Sequence, residues 1–111
     1  MERIYDSNDR RVGHLKGNTV YDGNHRVIGY INDPVLYDAK CRQIGYVRNR
    51  TIYKPNGRPI CYFNGWHVHD MKGHRLGHVN SSWLGLLAAG LLLGAVGGYG
   101  YGYGYGYGGF F

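Results

Sequence analysis

The chain has 111 residues, enough for one domain and a tail, with a net charge of +6, 20 glycines and 12 tyrosines. With histidine neutral, residues 76–111 carry no formal charge, so a basic patterned region precedes an uncharged Gly/Leu/Tyr-rich one. The opening MERIYDSNDRR has no apolar run of the kind a secretory signal needs, and Cys41 and Cys61 sit at non-equivalent places, so a disulfide framework is not indicated.

From residue 3 onward the chain repeats itself. Tyr5, Tyr21, Tyr37, Tyr53 and His69 recur every sixteen residues, as do Gly13, Gly29, Gly45, Cys61 and Gly77. That makes five copies over residues 3–82, and a single copy of this size cannot bury its own apolar face. Each copy reads as a hairpin whose turn is DSNDR, DGNHR, DAKCR, KPNGR or DMKGH. Asn and Gly there favour the positive φ that tight hairpin turns require. A three-residue loop sets Asp6 opposite Arg10, Asp22 opposite Arg26 and Asp38 opposite Arg42, with Ile4 opposite Val12 and Val20 opposite Ile28.

The turns between copies fall at GN, DP, NR, NG and SS. Two-residue turns there set Leu15 opposite Val20, His14 opposite Tyr21 and Tyr30 opposite Tyr37. Val12 and Leu15 then face one way although they are three apart, so one residue must be absorbed between them. The repeated glycine marks that bulge. Cys61 takes the glycine place in the fourth copy, which should therefore be built differently.

With the bulge, one sheet face collects three aliphatic columns. The first holds Ile4, Val20, Leu36, Ile52 and Val68. The second holds Val12, Ile28, Ile44, Ile60 and Leu76, and the third holds Leu15, Ile31, Val47, Phe63 and Val79. An open sheet would expose this face and two edges, whereas closure buries the face and removes the edges. The expected fold is all-β: a shallow closed antiparallel barrel of ten short strands around an apolar lumen. An open hairpin stack is the alternative.

The repeated YD…R…IGY copies, with the columns they generate, resemble the bacterial β-flower family, small barrels of hairpin petals around a hydrophobic centre. The architecture is also similar to the Tubby C-terminal and scramblase-like barrels, which thread a hydrophobic helix through the centre. The resemblance implies membrane- or lipid-associated behaviour.

After the repeats, residues 83–98 form an apolar segment that Ser81 or Ser82 can cap as a helix. Gly90, Gly94 and Gly98 recur every four residues, the spacing that lets helices pack closely in a membrane. Its 16 residues give roughly 24 Å of helix, short of the ~30 Å hydrocarbon core. Three readings stand: a short membrane anchor with Trp83 at the interface, a plug in the barrel, or a glycine-zipper oligomer. Residues 99–111 alternate Gly and Tyr and read as a low-complexity tail, adhesive at most. The chain thus divides into residues 1–82, 83–98 and 99–111.

Two clusters invite chemistry. His67, His69 and His78, with His74 nearby, are candidate metal ligands, although His69 and His78 also continue the tyrosine columns. Arg10, Arg26, Arg42 and Arg58 form a basic rim that anionic headgroups could meet. No nucleophile, base and orienting group stand together, and no cofactor is implied. The expectation is a non-enzymatic, membrane-associated binding or scaffold module, with its repeat domain on the cytoplasmic side. Its lumen would hold a lipid-like apolar chain or the protein's own helix, and the C-terminal helix could pair copies of the chain. A polyanion-binding protein taking single-stranded nucleic acid, and a self-assembling protein using the tail, are the alternatives.

Overall fold

The computed structural model describes residues 1–80 and 82–94. Ten strands pair in one closed antiparallel ring. In chain order they are β1 (Glu2–Asp6), β2 (Arg11–Lys16), β3 (Thr19–Asp22), β4 (Val27–Asn32) and β5 (Val35–Asp38). They continue as β6 (Gln43–Arg48), β7 (Thr51–Tyr53), β8 (Pro59–Asn64), β9 (His67–Asp70) and β10 (Arg75–Val79). Each consecutive pair, starting with β1–β2, is one petal, and β10 pairs with β1 to close the ring.

The turn chemistry matches the sequence pattern. At petal tips the third loop residue has positive φ throughout: Asp9, His25, Cys41, Gly57 and Gly73. This is the left-handed residue that a three-residue hairpin loop needs. Pairing between petals follows the expected register, with Leu15 opposite Val20, His14 opposite Tyr21 and Tyr30 opposite Tyr37.

Within petals the register differs by one from the expectation. Ile4 lies opposite Gly13 rather than Val12, Val20 opposite Gly29, and Ile52 opposite Cys61. The bulge exists, but its extra residue is Val12, Ile28, Ile44, Ile60 or Leu76, and not the glycine. Two consecutive residues, such as Val12 and Gly13, face one on the partner strand, so the residue absorbed by the bulge is the aliphatic that precedes the glycine. These bulge aliphatics are consequently the least buried column: Ile44, Ile60 and Leu76 are half-buried, while the first and third columns are buried throughout.

One helix, α1 (Trp83–Leu93), follows the barrel. The Ser82 hydroxyl accepts the Gly85 amide at 3.0 Å and caps its first turn. Among the described residues the helix ends at Leu93, with Gly94 as its C-terminal cap; residues 95–98 of the expected 83–98 segment, including Gly98, and the Gly-Tyr tail lie outside the described residues. α1 is apolar on every side, the pattern of a helix surrounded by protein. Leu86, Leu87, Leu91, Leu92 and Leu93 are all buried.

Candidate functional site

Side chains of α1 meet the wall in every direction. Leu92 approaches Gly13 on β2, Leu91 approaches Gly29 on β4 and Leu93 approaches Gly77 on β10. Gly90 faces Ile52 and Phe63 on β7 and β8. The helix therefore lies in the lumen, surrounded by the buried first and third columns, with Ile44, Ile60 and Leu76 of the second packed against that core while half-buried. Of the two occupants expected for that space, the protein's own helix is the one found.

This packing gives the repeated glycines a second reason. A Cβ on Gly13, Gly29 or Gly77 would collide with the backbone carbonyl of Tyr21, Tyr37 or Tyr5 on the facing strand. It would also press on the helix leucines, at 2.7 Å from Leu92 Cδ2 in the case of Gly13. In petals one, two and five the glycine keeps both the facing carbonyl and the helix clear, whereas petal four forms the same bulge with Cys61 in that place.

Petal four inverts the arrangement. Its wall is bulkier, with Cys61 in the glycine place and Phe63 in an aliphatic one, and the helix turns small residues toward it. A Cβ on Gly90 would lie 3.2 Å from Phe63 Cε1, and one on Gly94 would lie 3.0 Å from Cys61 Sγ. The four-residue glycine spacing thus fits petal four of the same chain. Burial, with the Asp70 charge adding to it, pushes the Cys61 thiol up to about 12.

Trp83 closes the mouth at the end where petals join each other. Its indole Nε1 donates to Asp33 Oδ2 at 2.8 Å, its ring meets Phe63 edge-on at 5.7 Å, and the Arg50 guanidinium lies 5.9 Å over it. Sequence patterns give no sign of this lid, because Asp33 and Arg50 sit in inter-petal turns whose residues differ from copy to copy. The helix runs from this mouth toward the petal tips, and Gly94 lies beside Cys61 at the level of the glycine ring.

The outer face carries the aromatic belt expected from the tyrosine columns. His14 stacks on Tyr21, Tyr46 on Tyr53, Tyr62 on His69 and His78 on Tyr5, with ring planes 14° to 18° apart. His69 is thus packed face to face with Tyr62. His67 and His78 do meet, with ring centroids 5.8 Å apart, but a cation lies between them. Arg75 Nε donates to His67 Nδ1 at 3.1 Å, and its Nη2 lies 2.8 Å from His78 Nδ1. A guanidinium can only donate, so both ring nitrogens accept from it. Arg75 also reaches the Ser7 carbonyl and Asp9 Oδ1 in petal one, fastening the ring's closure. Burial first, then Arg75, holds the His67 pKa below its usual value, and burial followed by Arg11 does the same to His14. Among the described residues no three His, Cys, Asp or Glu side chains converge as metal ligands.

At the petal tips Asp6, Asp22 and Asp38 each accept two backbone amides and one arginine Nε. The ion pairs measure 3.3, 3.1 and 2.8 Å, and the Arg10, Arg26 and Arg42 side chains remain at least 70% exposed. Petal five repeats the motif with His74 on Asp70 at 3.2 Å. The amide of Arg42 is the main cause holding Asp38 below the usual carboxylate range. Burial works upward on Asp70, but the His74 amide and ring and the Lys72 amide together bring it down. The charge excess is uneven around the rim: Lys40, Arg42, Lys54, Arg58 and Lys72 on petals three to five face only Asp38 and Asp70.

A closed ring of hairpin petals plugged by its own helix defines the class: a small repeat barrel built around a protein-filled lumen. A family model described as a 5-fold beta-flower protein matches residues 1–108, and the chain belongs to that family. No curated protein and no solved structure matches the chain. No helix among the described residues is long and apolar enough to cross a membrane.

Proposed function

We propose that the protein is a non-enzymatic scaffold module that docks on an anionic membrane surface through its petal tips, with its lumen closed by its own helix. The observation that carries this reading is a coincidence of place. The exposed guanidinium groups stand on the end toward which α1 runs, so the C-terminal end of the helix points to the basic side. Each near-surface basic residue adds about 1 kcal/mol of attraction to an anionic leaflet. The uneven rim favours petals three to five as the approach face. In a cell this face would lie against the cytoplasmic leaflet, where anionic lipids concentrate.

Co-sedimentation with vesicles tests it. The intact protein should pellet with phosphatidylglycerol vesicles at low salt, stay free of pure phosphatidylcholine, and be released as salt screens the rim. The double variant Arg42→Ala/Arg58→Ala should bind roughly thirtyfold more weakly, from two lost charges. Failure to pellet with the anionic vesicles would remove the reading. Tighter, salt-sensitive binding to single-stranded RNA would put the polyanion reading in its place.

A further inference from the structure

Petal four breaks the rule its neighbours keep. Lys54 stands where Asp6, Asp22, Asp38 and Asp70 stand in the other tips. The Arg58 amide turns instead to Asn56 Oδ1 at 3.0 Å. Among the described residues no carboxylate pairs with the Arg58 guanidinium or the Lys54 ammonium. Both cations line a groove of about 500 Å³ between the tips of petals four and five, with Lys72 and His74 on the facing side. Asp70 is also present, but the amides of Lys72 and His74 and the His74 ring already engage its oxygens. Three formal positive charges therefore face one committed carboxylate. Ile60 and Met71 add an apolar floor, Met71 being 48% exposed.

We propose that this groove binds a phosphomonoester. The phosphate dianion replaces the missing petal-four carboxylate between Lys54 and Arg58, and the organic body rests on Ile60 and Met71. A guanidinium fork matches two phosphate oxygens and an ammonium adds a point charge, whereas a neutral ligand would leave both cations as they are. The groove names the headgroup chemistry of the membrane reading and rests on that reading for its lipid source. A soluble organic phosphate has the same chemistry.

Calorimetric titration of the intact chain with glycerol phosphate, beside glycerol, tests the groove. Saturable binding of the phosphate alone is expected. Lys54→Asp recreates the carboxylate–arginine pair of the other petals, so the fold is retained while affinity drops by about tenfold or more, the loss of one charge-assisted contact. Lys72→Ala, at an exposed tip, should weaken binding in the same direction and provides a second reading should Lys54→Asp misfold. Arg26→Ala, on a petal whose arginine is paired, should change affinity by less than about twofold. Absence of saturable binding, or equal weakening by Lys54→Asp and Arg26→Ala, overturns the groove. Competition by phosphatidylcholine vesicles doped with phosphatidic acid assigns a lipid source, and its absence a soluble ester; either retains the groove. Pelleting with phosphatidylserine vesicles without glycerol phosphate binding would overturn the groove and keep membrane docking. Glycerol phosphate binding without pelleting on any anionic vesicle would do the reverse.

Discussion

Leu92 is fully buried in the lumen, and its Cδ2 sits against Gly13 on the barrel wall. Replacing it with alanine removes side-chain carbons from a space bounded by a closed, hydrogen-bonded ring. Such a wall cannot collapse inward without breaking strand pairs, so the cavity should persist. Leucine-to-alanine losses run from about 2 to 5 kcal/mol and rise with residual cavity volume, which places this one near 3–4 kcal/mol. At ~4–8 °C per kcal/mol for a domain of this size, the thermal midpoint should fall by roughly 12–30 °C. Leu84, on the same helix but 39% exposed, supplies the control, and its alanine variant should lose under about 1 kcal/mol. The assay is urea and thermal unfolding followed by circular dichroism on the strand signal. A Leu92→Ala change no larger than that of Leu84→Ala would refute the reasoning. It would mean that the helix contributes nothing to the barrel in water, as a membrane anchor or an intermolecular zipper would behave.

Gly29→Ala should destabilise by about 1–3 kcal/mol, because its Cβ would strike the Tyr37 carbonyl and lie 3.0 Å from Leu91 Cδ1. Gly23→Ala should be near neutral in the same unfolding assay, since its nearest neighbour, the Val12 carbonyl, is 3.5 Å away. Thiol titration at mildly alkaline pH should find Cys41, which is exposed, and miss Cys61, whose thiol is pushed up to about 12, until denaturant opens the barrel. Two reactive thiols in the native protein would contradict that burial. His14 and His67 have folded-state pKa values below the ordinary one, so the folded state holds fewer protons than the unfolded. Their contribution is complete above pH ~6.5 and is lost as pH falls through the folded values. The urea midpoint should therefore drop as pH falls below about 6.5, before Asp38 and Asp70 begin to titrate. A midpoint that rises on acidification would reverse the sign.

The ring itself was legible in the sequence because closure follows from a repeat of alternating residues that aims three apolar columns one way. Turn chemistry was legible too, since Asp-to-Arg spacing and the residues at Asp9, Gly57 and Gly73 are local matters. The one-residue difference in register within petals has a physical cause, since glycine's backbone freedom marks only that a bulge lies near Gly13. Side-chain parity is satisfied whether the glycine or Val12 is the extra residue, and only the facing strand decides. Only one cause of the glycine column is local; the other, the approach of Leu91, Leu92 and Leu93, depends on where the helix goes. The apolar segment's composition suits lipid and a protein interior equally. What favoured the interior was a size match invisible in either segment alone: Phe63 and Cys61 on petal four against Gly90 and Gly94 on the helix. The Arg75 linkage to Ser7 and Asp9 was hidden for a related reason, because it joins positions 66 and 68 residues apart across the ring's closure.

That size match also supplies a direct test of the helix in the lumen. A Cβ on Gly94 would lie 3.6 Å from Cys61 Cβ, inside the range that a disulfide spans. Gly94 has φ of −81°, which any residue adopts, but a Cβ there would lie 2.6 Å from the Gly90 carbonyl oxygen, so the helix's last turn must give way slightly to admit a cysteine. Replacing Cys41 with glycine suits its positive φ and leaves Cys61 as the sole native thiol. On mild oxidation, the Cys41→Gly/Gly94→Cys variant should lose both free thiols while remaining monomeric, with a higher unfolding midpoint than its reduced form. Two thiols that stay free, or a cross-link only between chains, would contradict a helix seated inside its own barrel.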